Sequence, residues 1–260
     1  MSPHRVVALG ASNLTRGFRT VVAAAREAWG PDVEVLAALG HGRSYGGESR
    51  FLGRVRPGIL QSGLWSELAR RPAAPTRAIL TDVGNDVAYG HGAERTLAWV
   101  EECLDRLAPH TRDVTLTDLP MASLRRLSPA KYLAFRTVLV PSCRLPLARV
   151  LDEAQRVSDG LVALAARRSL RLVRVRPEWY GFDPIHVKRR LWRAAWREIL
   201  LGDHAPAPSS APARTSRAAA AAEALRLYRL RPERSRVLGR ERLVPQAGLA
   251  LPAGGRIWSY

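Results

Sequence analysis

Short apolar runs alternate with longer segments of helical periodicity along the first 200 residues. Apolar runs of this length, bounded by turn residues, are typical of buried strands. The predicted strands are Arg5–Leu9, Val33–Ala38, Arg77–Thr81, Val114–Thr117 and Leu170–Val175. Helices are predicted at Arg16–Trp29, Ala93–Leu107, Leu147–Arg168 and again after Asp183. Five strands that alternate with helices predict an α/β domain with one parallel sheet and helices on both faces.

Residues that can do chemistry follow several of these strands. Ser12, Gly42 and Asn85 each come shortly after a predicted strand. In open parallel sheets the ligand lies at the carboxyl ends of the strands. We therefore expect these three residues to converge at one edge of the sheet, although they are far apart in the sequence.

The composition changes after Gly202. Residues 203–217 are rich in Pro, Ala and Ser, which predicts a flexible or polyproline-like linker. Ala218–Leu230 favours a helix because of its alanine and leucine content, whereas the last 30 residues have no periodicity. We predict an α/β domain over 1–202, a linker over 203–217 and an extension over 218–260. The extension either packs back onto the domain or engages a partner.

The formal net charge is +18, from 41 Lys and Arg against 23 Asp and Glu. An arginine-rich surface can neutralise phosphates, so a non-catalytic protein that binds nucleic acid is one hypothesis. However, the excess is spread along the chain, and there is no zinc-finger spacing or aromatic–basic motif. A bias toward arginine and alanine accounts for the charge more simply. We therefore expect a small-molecule partner rather than nucleic acid.

The cysteines and the hydropathy restrict the class of protein further. Cys103 and Cys143 fit neither a metal-site spacing nor a disulfide framework, so we expect two reduced thiols. No segment approaches the ~20 apolar residues of a membrane-spanning helix, and Met1–Leu9 is too short for a signal peptide. We expect a cytoplasmic protein that does not bind a membrane.

Ser12 lies in the turn Gly10-Ala11-Ser12-Asn13, between the first strand and the first helix. A serine hydroxyl becomes a useful nucleophile only when a base takes its proton. A serine in such a turn also places its own backbone N–H near the negative charge that develops during acyl transfer. The alternative is that Ser12, Asn13 or Thr15 only caps the helix that follows.

Asp183-Pro184-Ile185-His186 places a carboxylate three residues before an imidazole. A carboxylate that accepts from one ring nitrogen fixes the tautomer of a catalytic histidine. The alternative is that Asp183 is a helix N-cap and that Pro184 occupies the first helical position. His186 would then lie in the first helical turn, where the helix dipole favours the neutral base.

Two further turns can supply hydrogen-bond donors to an oxyanion. The Asn85 amide follows Gly84, although Gly84-Asn85-Asp86 also suits an ordinary turn. Gly42 can offer its backbone N–H where no side chain obstructs a substrate. Each motif is weak evidence for an active site when taken alone. Their order along the chain makes the combination more specific.

Together these motifs resemble those of the SGNH hydrolase (GDSL esterase/lipase) superfamily over residues 5–200. On this resemblance Ser12 matches the nucleophile, Gly42 the second-block glycine and Asn85 the third-block asparagine, and Asp183 and His186 match the final Asp-x-x-His block. The resemblance implies a three-layer α/β/α sandwich with a five-stranded parallel sheet of flavodoxin-like type. It also implies ester hydrolysis through an acyl-enzyme, with no metal or cofactor.

The chain departs from the usual motifs at several positions. Ala11 stands where the first block usually has Asp, which puts the rigidity of that turn and the substrate preference in question. Val83 stands where a second glycine often lies. Gly40 and Gly46 compete with Gly42 for the oxyanion role.

The resulting hypothesis is a serine esterase with the triad Ser12, His186 and Asp183. Its oxyanion hole comprises the Ser12 and Gly42 amides and the Asn85 side chain, and its substrate is a small or carbohydrate-linked ester. Tyr45, Tyr132, Phe135 and Trp179 are candidate pocket walls.

Two other catalytic readings use the same residues or a nearby motif. An SGNH-type O-acyltransferase would use the same site, with an alcohol in place of water. Gly42-Arg43-Ser44-Tyr45-Gly46 also fits the Gly-x-Ser-x-Gly nucleophile elbow of α/β-hydrolases, with Ser44 as nucleophile.

Overall fold

The computed structural model describes residues 3–51, 54–140, 143–202, 222, 225–227, 230, 232–251 and 254–260, and a seven-stranded sheet lies at its centre. The strands are β1 (His4–Leu9), β2 (Val33–Ala38), β3 (Ser49–Phe51), β4 (Arg54–Arg56), β5 (Thr76–Leu80), β6 (Val114–Thr117), β7 (Arg171–Val173), β8 (Arg234–Val237), β9 (Arg240–Leu243), β10 (Leu249–Ala250) and β11 (Arg256–Ser259). The helices are α1 (Ser12–Trp29), α2 (Leu64–Arg70), α3 (Asn85–Ala88), α4 (Ala93–Leu107), α5 (Met121–Leu124), α6 (Pro129–Leu139), α7 (Leu147–Arg167) and α8 (Trp192–Leu201). Short 3₁₀ turns occur at Ile59–Gln61, Pro177–Trp179 and Arg189–Leu191.

All five predicted strands are present and form neighbours in the order β2-β1-β5-β6-β7. Each pair is parallel, with Val7 of β1 opposite Leu36 on one side and Ala78 on the other. The α/β class and the parallel arrangement are therefore confirmed. Ser12 and Asn85 come just after the carboxyl ends of β1 and β5, as the topology required.

The sheet has seven strands, so the predicted number of five is wrong. β11 pairs in parallel with β2, and β10 pairs antiparallel with β11. Ile257 and Trp258 of β11 are buried. These strands cover the edge of β2, whose backbone N–H and C=O groups would otherwise be unpaired. The prediction missed β11 because its four residues carry no clear alternation and come from the aperiodic end of the chain.

Helices pack on both faces of the sheet and form two cores. Because successive side chains of a strand point to opposite faces, Val7 and Leu9 join the core under α4 and α7, whereas Val6 and Ala8 join the core under α1 and α8. On this second face a Cβ on Gly17 would lie 1.8 Å from the Trp196 indole nitrogen, so α1 needs a glycine at the closest approach to α8.

A second sheet connects the C-terminal extension to the predicted α/β domain. Its strand order is β3-β4-β8-β9, and every pair is antiparallel. Leu238 and Gly239 both have positive φ in the two-residue turn between β8 and β9, as hairpin turns of this length require. The predicted linker over 203–217 and most of the predicted helix Ala218–Leu230 lie outside the described residues, so the domain boundary at 202 stays a prediction.

Two other properties of the described residues bear on the sequence analysis. None of the described helices combines the length and the apolar character needed to cross a bilayer. Cys103 and Cys143 are both free thiols and both buried. Burial raises the pKa of the Cys103 thiol well above its usual range, which keeps this group protonated and inert.

Candidate active site

Ser12, His186 and Asp183 form a continuous chain of hydrogen bonds at the carboxyl edge of the main sheet. Ser12 Oγ lies 2.9 Å from His186 Nε2, and His186 Nδ1 lies 2.7 Å from Asp183 Oδ2. A neutral imidazole with its proton on Nδ1 donates to Asp183 and can accept the Ser12 hydroxyl proton on Nε2. The structure thus brings together three predicted site residues in an order suited to activating a serine.

The segment that carries Asp183 and His186 is a loop, and the predicted helix start at Asp183 is wrong. Asp183 Oδ1 accepts the backbone N–H groups of Ile185 and His186 at 3.2 and 3.1 Å, which closes a local turn. The next N–H groups are used elsewhere: Val187 donates to Asn13 Oδ1 and Lys188 to the Trp179 carbonyl. The helix α8 therefore begins only at Trp192, and His186 does not lie in its first turn.

The Asp183 carboxylate is held in its charged form. Burial acts to raise its pKa, but the hydrogen bond and charge of His186 and the amides of Ile185 and His186 outweigh that effect. The net result is a pKa below the usual range of an aspartate. The Arg16 guanidinium lies 3.8 Å from Oδ2 and adds a partly exposed ion pair. An ionised Asp183 can stabilise the imidazolium that forms when His186 takes a proton.

The N-terminus of α1 is capped by Asp82, a residue that the sequence analysis did not identify. Asp82 Oδ2 accepts the backbone N–H groups of Ala11 and Leu14 at 2.9 and 3.1 Å. A carboxylate at this end also complements the helix dipole. No side chain within α1 caps the helix. The Ser12 hydroxyl is therefore not used as a cap and is directed to His186 instead.

Asp82 adopts a left-handed backbone conformation, with φ of 61° just after β5. Such values are uncommon for residues other than glycine, although Asp and Asn tolerate them best. This conformation places the Asp82 carboxylate against the turn that carries Ala11 and Ser12. The sequence does contain a signal for this role. Asp82 is an acidic residue directly after the predicted strand Arg77–Thr81, two residues before Gly84, and the turn around Ser12 has no acidic residue of its own.

Asn13 is a second residue that the sequence analysis left without a role in the site. Its Nδ2 donates to Asp82 Oδ1 at 2.7 Å and to the Ile185 carbonyl at 2.8 Å, and its Oδ1 accepts the Val187 N–H at 2.8 Å. The Ile185 and Val187 contacts lie on either side of His186. Asn13 therefore ties the histidine loop to the turn that carries Ser12.

Asn85 lies on the wall of the same cavity as Ser12. It is the first residue of α3. Among the residues that the structure describes, no hydrogen bond to the Asn85 side-chain amide is found, and none is found from the Ser12 backbone N–H. Two donors without a partner in the described part of the chain are thus available, beside the same cavity, to a substrate carbonyl oxygen.

Gly42 has φ of 65°, and a Cβ there would lie 2.6 Å from the Tyr89 hydroxyl oxygen, so the position favours glycine. Tyr89 donates to the Gly42 carbonyl at 2.6 Å and fixes this turn. Gly42 is not among the described residues that line the cavity, and its oxyanion role stays a prediction. Gly40 and Gly46 are the competing candidates for this role. The Gly46 N–H already donates to Ser44 Oγ at 3.2 Å. Gly40 packs against the Arg56 side chain, which a Cβ at this position would meet.

Ser44 is fully buried and serves the turn in which it lies. Its hydroxyl is hydrogen-bonded to Asp86, and its oxygen accepts the Gly47 N–H at 2.7 Å. Asp86 Oδ2 also accepts the Tyr45 N–H. Burial raises the Asp86 pKa to about 6, although these hydrogen bonds oppose the rise. This environment favours a structural role for Ser44 over the nucleophile-elbow alternative.

A cavity of about 170 Å³ opens beside Ser12. Tyr132, Phe135 and Trp179 line it, as expected for pocket walls. Tyr45 is instead fully buried, with its hydroxyl donating to the Thr81 carbonyl at 2.9 Å. Within the part of the chain that the structure describes, no cluster of three or more His, Cys, Asp or Glu side chains could hold a metal ion.

No protein-family model matches the chain, and no curated protein matches it. Solved structures do. A carbohydrate acetylesterase family member from Sinorhizobium meliloti matches at 16% identity over 76% of this chain and 95% of its own, with a TM-score of 0.50. A lipolytic protein of the G-D-S-L family from Veillonella parvula matches at 11% identity over 76% and 97%, with a TM-score of 0.47.

A third structure, AlinE4, is an esterase of the SGNH-hydrolase family. It matches at 16% identity over 73% of this chain and 89% of its own, with a TM-score of 0.42. Of these three, only the acetylesterase family member reaches a TM-score of 0.5, so the comparison of folds depends on it. With its strands and helices in the arrangement that the motifs implied, the chain has a three-layer α/β/α fold similar to that of the acetylesterase family member.

Proposed function

We propose that the protein is a serine esterase that cleaves carboxylic esters through an acyl-enzyme. The observation that carries this proposal is the unbroken hydrogen-bond chain from Ser12 Oγ through His186 to Asp183. It lies beside a cavity that can admit a substrate. The fold shared with an acetylesterase family member agrees with ester chemistry.

In the acylation step, Ser12 Oγ attacks the ester carbonyl carbon while His186 Nε2 takes the hydroxyl proton. The carbonyl oxygen becomes negatively charged and accepts hydrogen bonds from the Ser12 N–H and the Asn85 side chain, with the Gly42 N–H as the predicted third donor. Loss of one such donor costs about 2.7–4 kcal/mol of barrier in comparable enzymes. The tetrahedral intermediate collapses when the bond to the alcohol oxygen breaks and His186 returns the proton to that oxygen.

Deacylation repeats these steps with water as nucleophile. His186 takes a proton from water as it attacks the acyl carbon, and the carboxylic acid leaves when Ser12 recovers its proton. Ionised Asp183 stabilises the imidazolium in both halves of the cycle. If an alcohol replaces water in this second half, the same residues carry out acyl transfer.

The test is hydrolysis of p-nitrophenyl esters by the wild type, Ser12→Ala, Ser44→Ala and Ser66→Ala. Ser66 is an exposed serine whose hydroxyl donates to the local Gly63 carbonyl at 2.9 Å, so its variant is a matched control. We expect Ser12→Ala to lose at least a thousandfold in kcat, with Ser66→Ala unchanged and Ser44→Ala partly active. Fluorophosphonate labelling of the wild type, located by mass spectrometry, should give a single adduct on Ser12.

Hydrolysis that survives in Ser12→Ala would overturn the proposal. Loss confined to Ser44→Ala, with the adduct on Ser44, would support the nucleophile-elbow alternative. A Ser12 adduct without hydrolysis, followed by turnover when an acceptor alcohol is added, would identify the O-acyltransferase alternative.

A further inference from the structure

The wall of the cavity beside Ser12 is largely apolar. Part of it comes from α5, α6, α7 and the loop between α5 and α6, and includes Leu124, Leu127, Phe135 and Val150; we call this part the apolar end. Leu119, after β6, also lines the cavity, and a Cβ on Gly84 would meet its side chain at 3.1 Å. Ser12 and Asn85 bring hydrogen-bonding groups to this space, whereas α5, α6 and α7 bring mainly apolar side chains. The charged exception is Arg136 of α6, whose guanidinium lies over the Tyr132 ring at 5.9 Å.

The acidic groups in the cavity wall are already engaged by the protein. Asp82 accepts three N–H groups. Asp118 accepts the Val175 N–H at 2.7 Å and pairs with Arg174 at 3.3 Å. A polar substrate group placed in the apolar end would lose hydrogen bonds to water without gaining equivalent ones, which is costly. The apolar end therefore suits a hydrocarbon group.

The volume sets the size of that group. A cavity of about 150 Å³ lined by Leu, Ile and Phe holds a benzene ring, and this one measures about 170 Å³. An acetyl group has a single methyl beyond its carbonyl and would leave most of the space unfilled. A group of about six carbon atoms would fill it.

An exposed aromatic residue lies next to the triad and close to this cavity. Phe182 is 82% exposed and directly precedes Asp183. Its ring centroid lies 6.0 Å from that of Phe135, which lines the cavity. Lys131 of α6 lies over the Phe182 ring at 4.3 Å. The Phe182 and Phe135 rings thus add an aromatic pair beside the cavity, next to Asp183.

We propose that this cavity is an acyl-binding pocket and that it takes apolar acyl groups of about six carbon atoms beyond the carbonyl. The proposal rests on the proposed esterase function, since it assigns the acyl half of the substrate. It replaces the expected preference for small esters with one for medium-chain or aryl-acyl esters. The acyl carbonyl lies at Ser12, and the hydrocarbon extends towards α6 and α7.

The first experiment compares kcat/KM for p-nitrophenyl esters from acetate to laurate. Each methylene buried on binding is worth roughly a fourfold gain. We therefore expect kcat/KM to rise by about two orders of magnitude from acetate to hexanoate. It should level off near octanoate and fall for laurate, whose chain exceeds the cavity. A steady decline from acetate onward would overturn the pocket and leave the esterase intact.

The second experiment uses matched Val→Phe substitutions. Val150 lines the cavity from α7, whereas Val138 of α6 is 72% exposed and is not among the described lining residues. Val150→Phe should lower the ratio of the octanoate to the acetate kcat/KM at least tenfold. Val138→Phe should leave that ratio within twofold of the wild type. Equal ratios in the two variants would contradict the proposal, and residual acetate hydrolysis would show that Val150→Phe is folded.

A binding measurement separates the pocket from the chemistry. Calorimetric titration of octanamide into Ser12→Ala protein should detect saturable binding that Val150→Phe weakens at least tenfold in the double variant. Octanamide binding without Ser12-dependent hydrolysis of any ester would retain the pocket and overturn the esterase. Absence of octanamide binding would overturn the pocket, whatever the activity.

Discussion

The Asn13 side-chain amide donates to Asp82 Oδ1 at 2.7 Å, and this contact joins the turn that carries Ser12 to the loop after β5. Asp82 caps the helix that begins with Ser12, and Asn13 holds the backbone on both sides of His186. The position of His186 relative to Ser12 is therefore held by Asn13, which contacts both the loop after β5 and the loop that carries His186. Most hydrogen-bond donors and acceptors of the Asn13 and Asp82 side chains are satisfied within the protein, which favours a single arrangement of the site.

We expect Asn13→Ala to lower kcat by one to two orders of magnitude with little change in KM. Without Asn13 the Ile185 carbonyl and the Val187 N–H lose their partner, and His186 can move relative to Ser12; small misplacements of this kind are costly. Steady-state kinetics on a p-nitrophenyl ester measure the effect, and a melting curve shows how much stability is lost. Gln155→Ala is the matched control, because Gln155 makes exposed hydrogen bonds to Arg125 and Asp159. A kcat within twofold of the wild type would contradict this role for Asn13.

The predicted triad and the missed residues differ in the range of their contacts. Asp183 and His186 are three residues apart, so a short motif contains their pairing. The hydrogen bond from Ala11 to Asp82 spans 71 positions, and that from Asn13 to Ile185 spans 172. Strand topology predicts which strand ends are neighbours, but it does not predict that Asp82 turns into a left-handed conformation to reach α1. The backbone conformation of Asp82 depends on how the whole turn packs in the folded protein.

The strands β10 and β11 escaped prediction for a related reason. The strands β1, β2, β5 and β6 are runs of mostly buried residues, and burial on both faces makes such runs visible in the sequence. β11 is four residues long and follows an aperiodic segment. Its position next to β2 depends on an available sheet edge, which is a property of the folded domain. The starting point of α8 was missed because Asn13 and Trp179 take the N–H groups of Val187 and Lys188.

We expect Asp86 to make the protein less stable as the pH rises from about 4 to about 6. Its folded-state pKa is raised to about 6 by burial, whereas an unfolded aspartate titrates near 3.9. Between these values the folded state binds more protons than the unfolded state, so the free energy of unfolding falls with pH, by about 3 kcal/mol in all. Urea unfolding at pH 4, 5, 6 and 7 measures this for the wild type.

The matched variant is Asp86→Asn, which keeps the shape and cannot ionise. The difference in unfolding free energy between wild type and variant should shift in favour of the variant as the pH rises from 4 to 6, and then stay constant. A difference that does not change with pH would show that Asp86 titrates alike in both states.

We expect the C-terminal extension to unfold together with the sheet that it joins. Ile257 is fully buried in β11 beside β2, so Ile257→Ala should cost about 2–5 kcal/mol of unfolding free energy. Leu238→Ala is the control, because Leu238 is 86% exposed in the β8–β9 turn. Denaturant curves followed by tryptophan fluorescence and by circular dichroism should coincide for the wild type. Separate transitions, with only one sensitive to Ile257→Ala, would mean that the extension is an independent unit.

Asn85 provides the sharpest test of the proposed oxyanion site. Its side chain lines the cavity beside Ser12, and no protein partner for it is found among the described residues, so Asn85→Ala should cost little stability. If the amide donates to the oxyanion only in the transition state, kcat should fall by about 10²–10³ while KM changes little. Ser12→Ala gives the activity floor, and the rate of fluorophosphonate labelling of Ser12 gives a second readout. Asn85→Asp should be at least as poor as Asn85→Ala, because a carboxylate repels the developing negative charge. A kcat for Asn85→Ala within threefold of the wild type, with Ser12 still required, would move the oxyanion donors to backbone amides alone and leave Gly42 as the residue to test next.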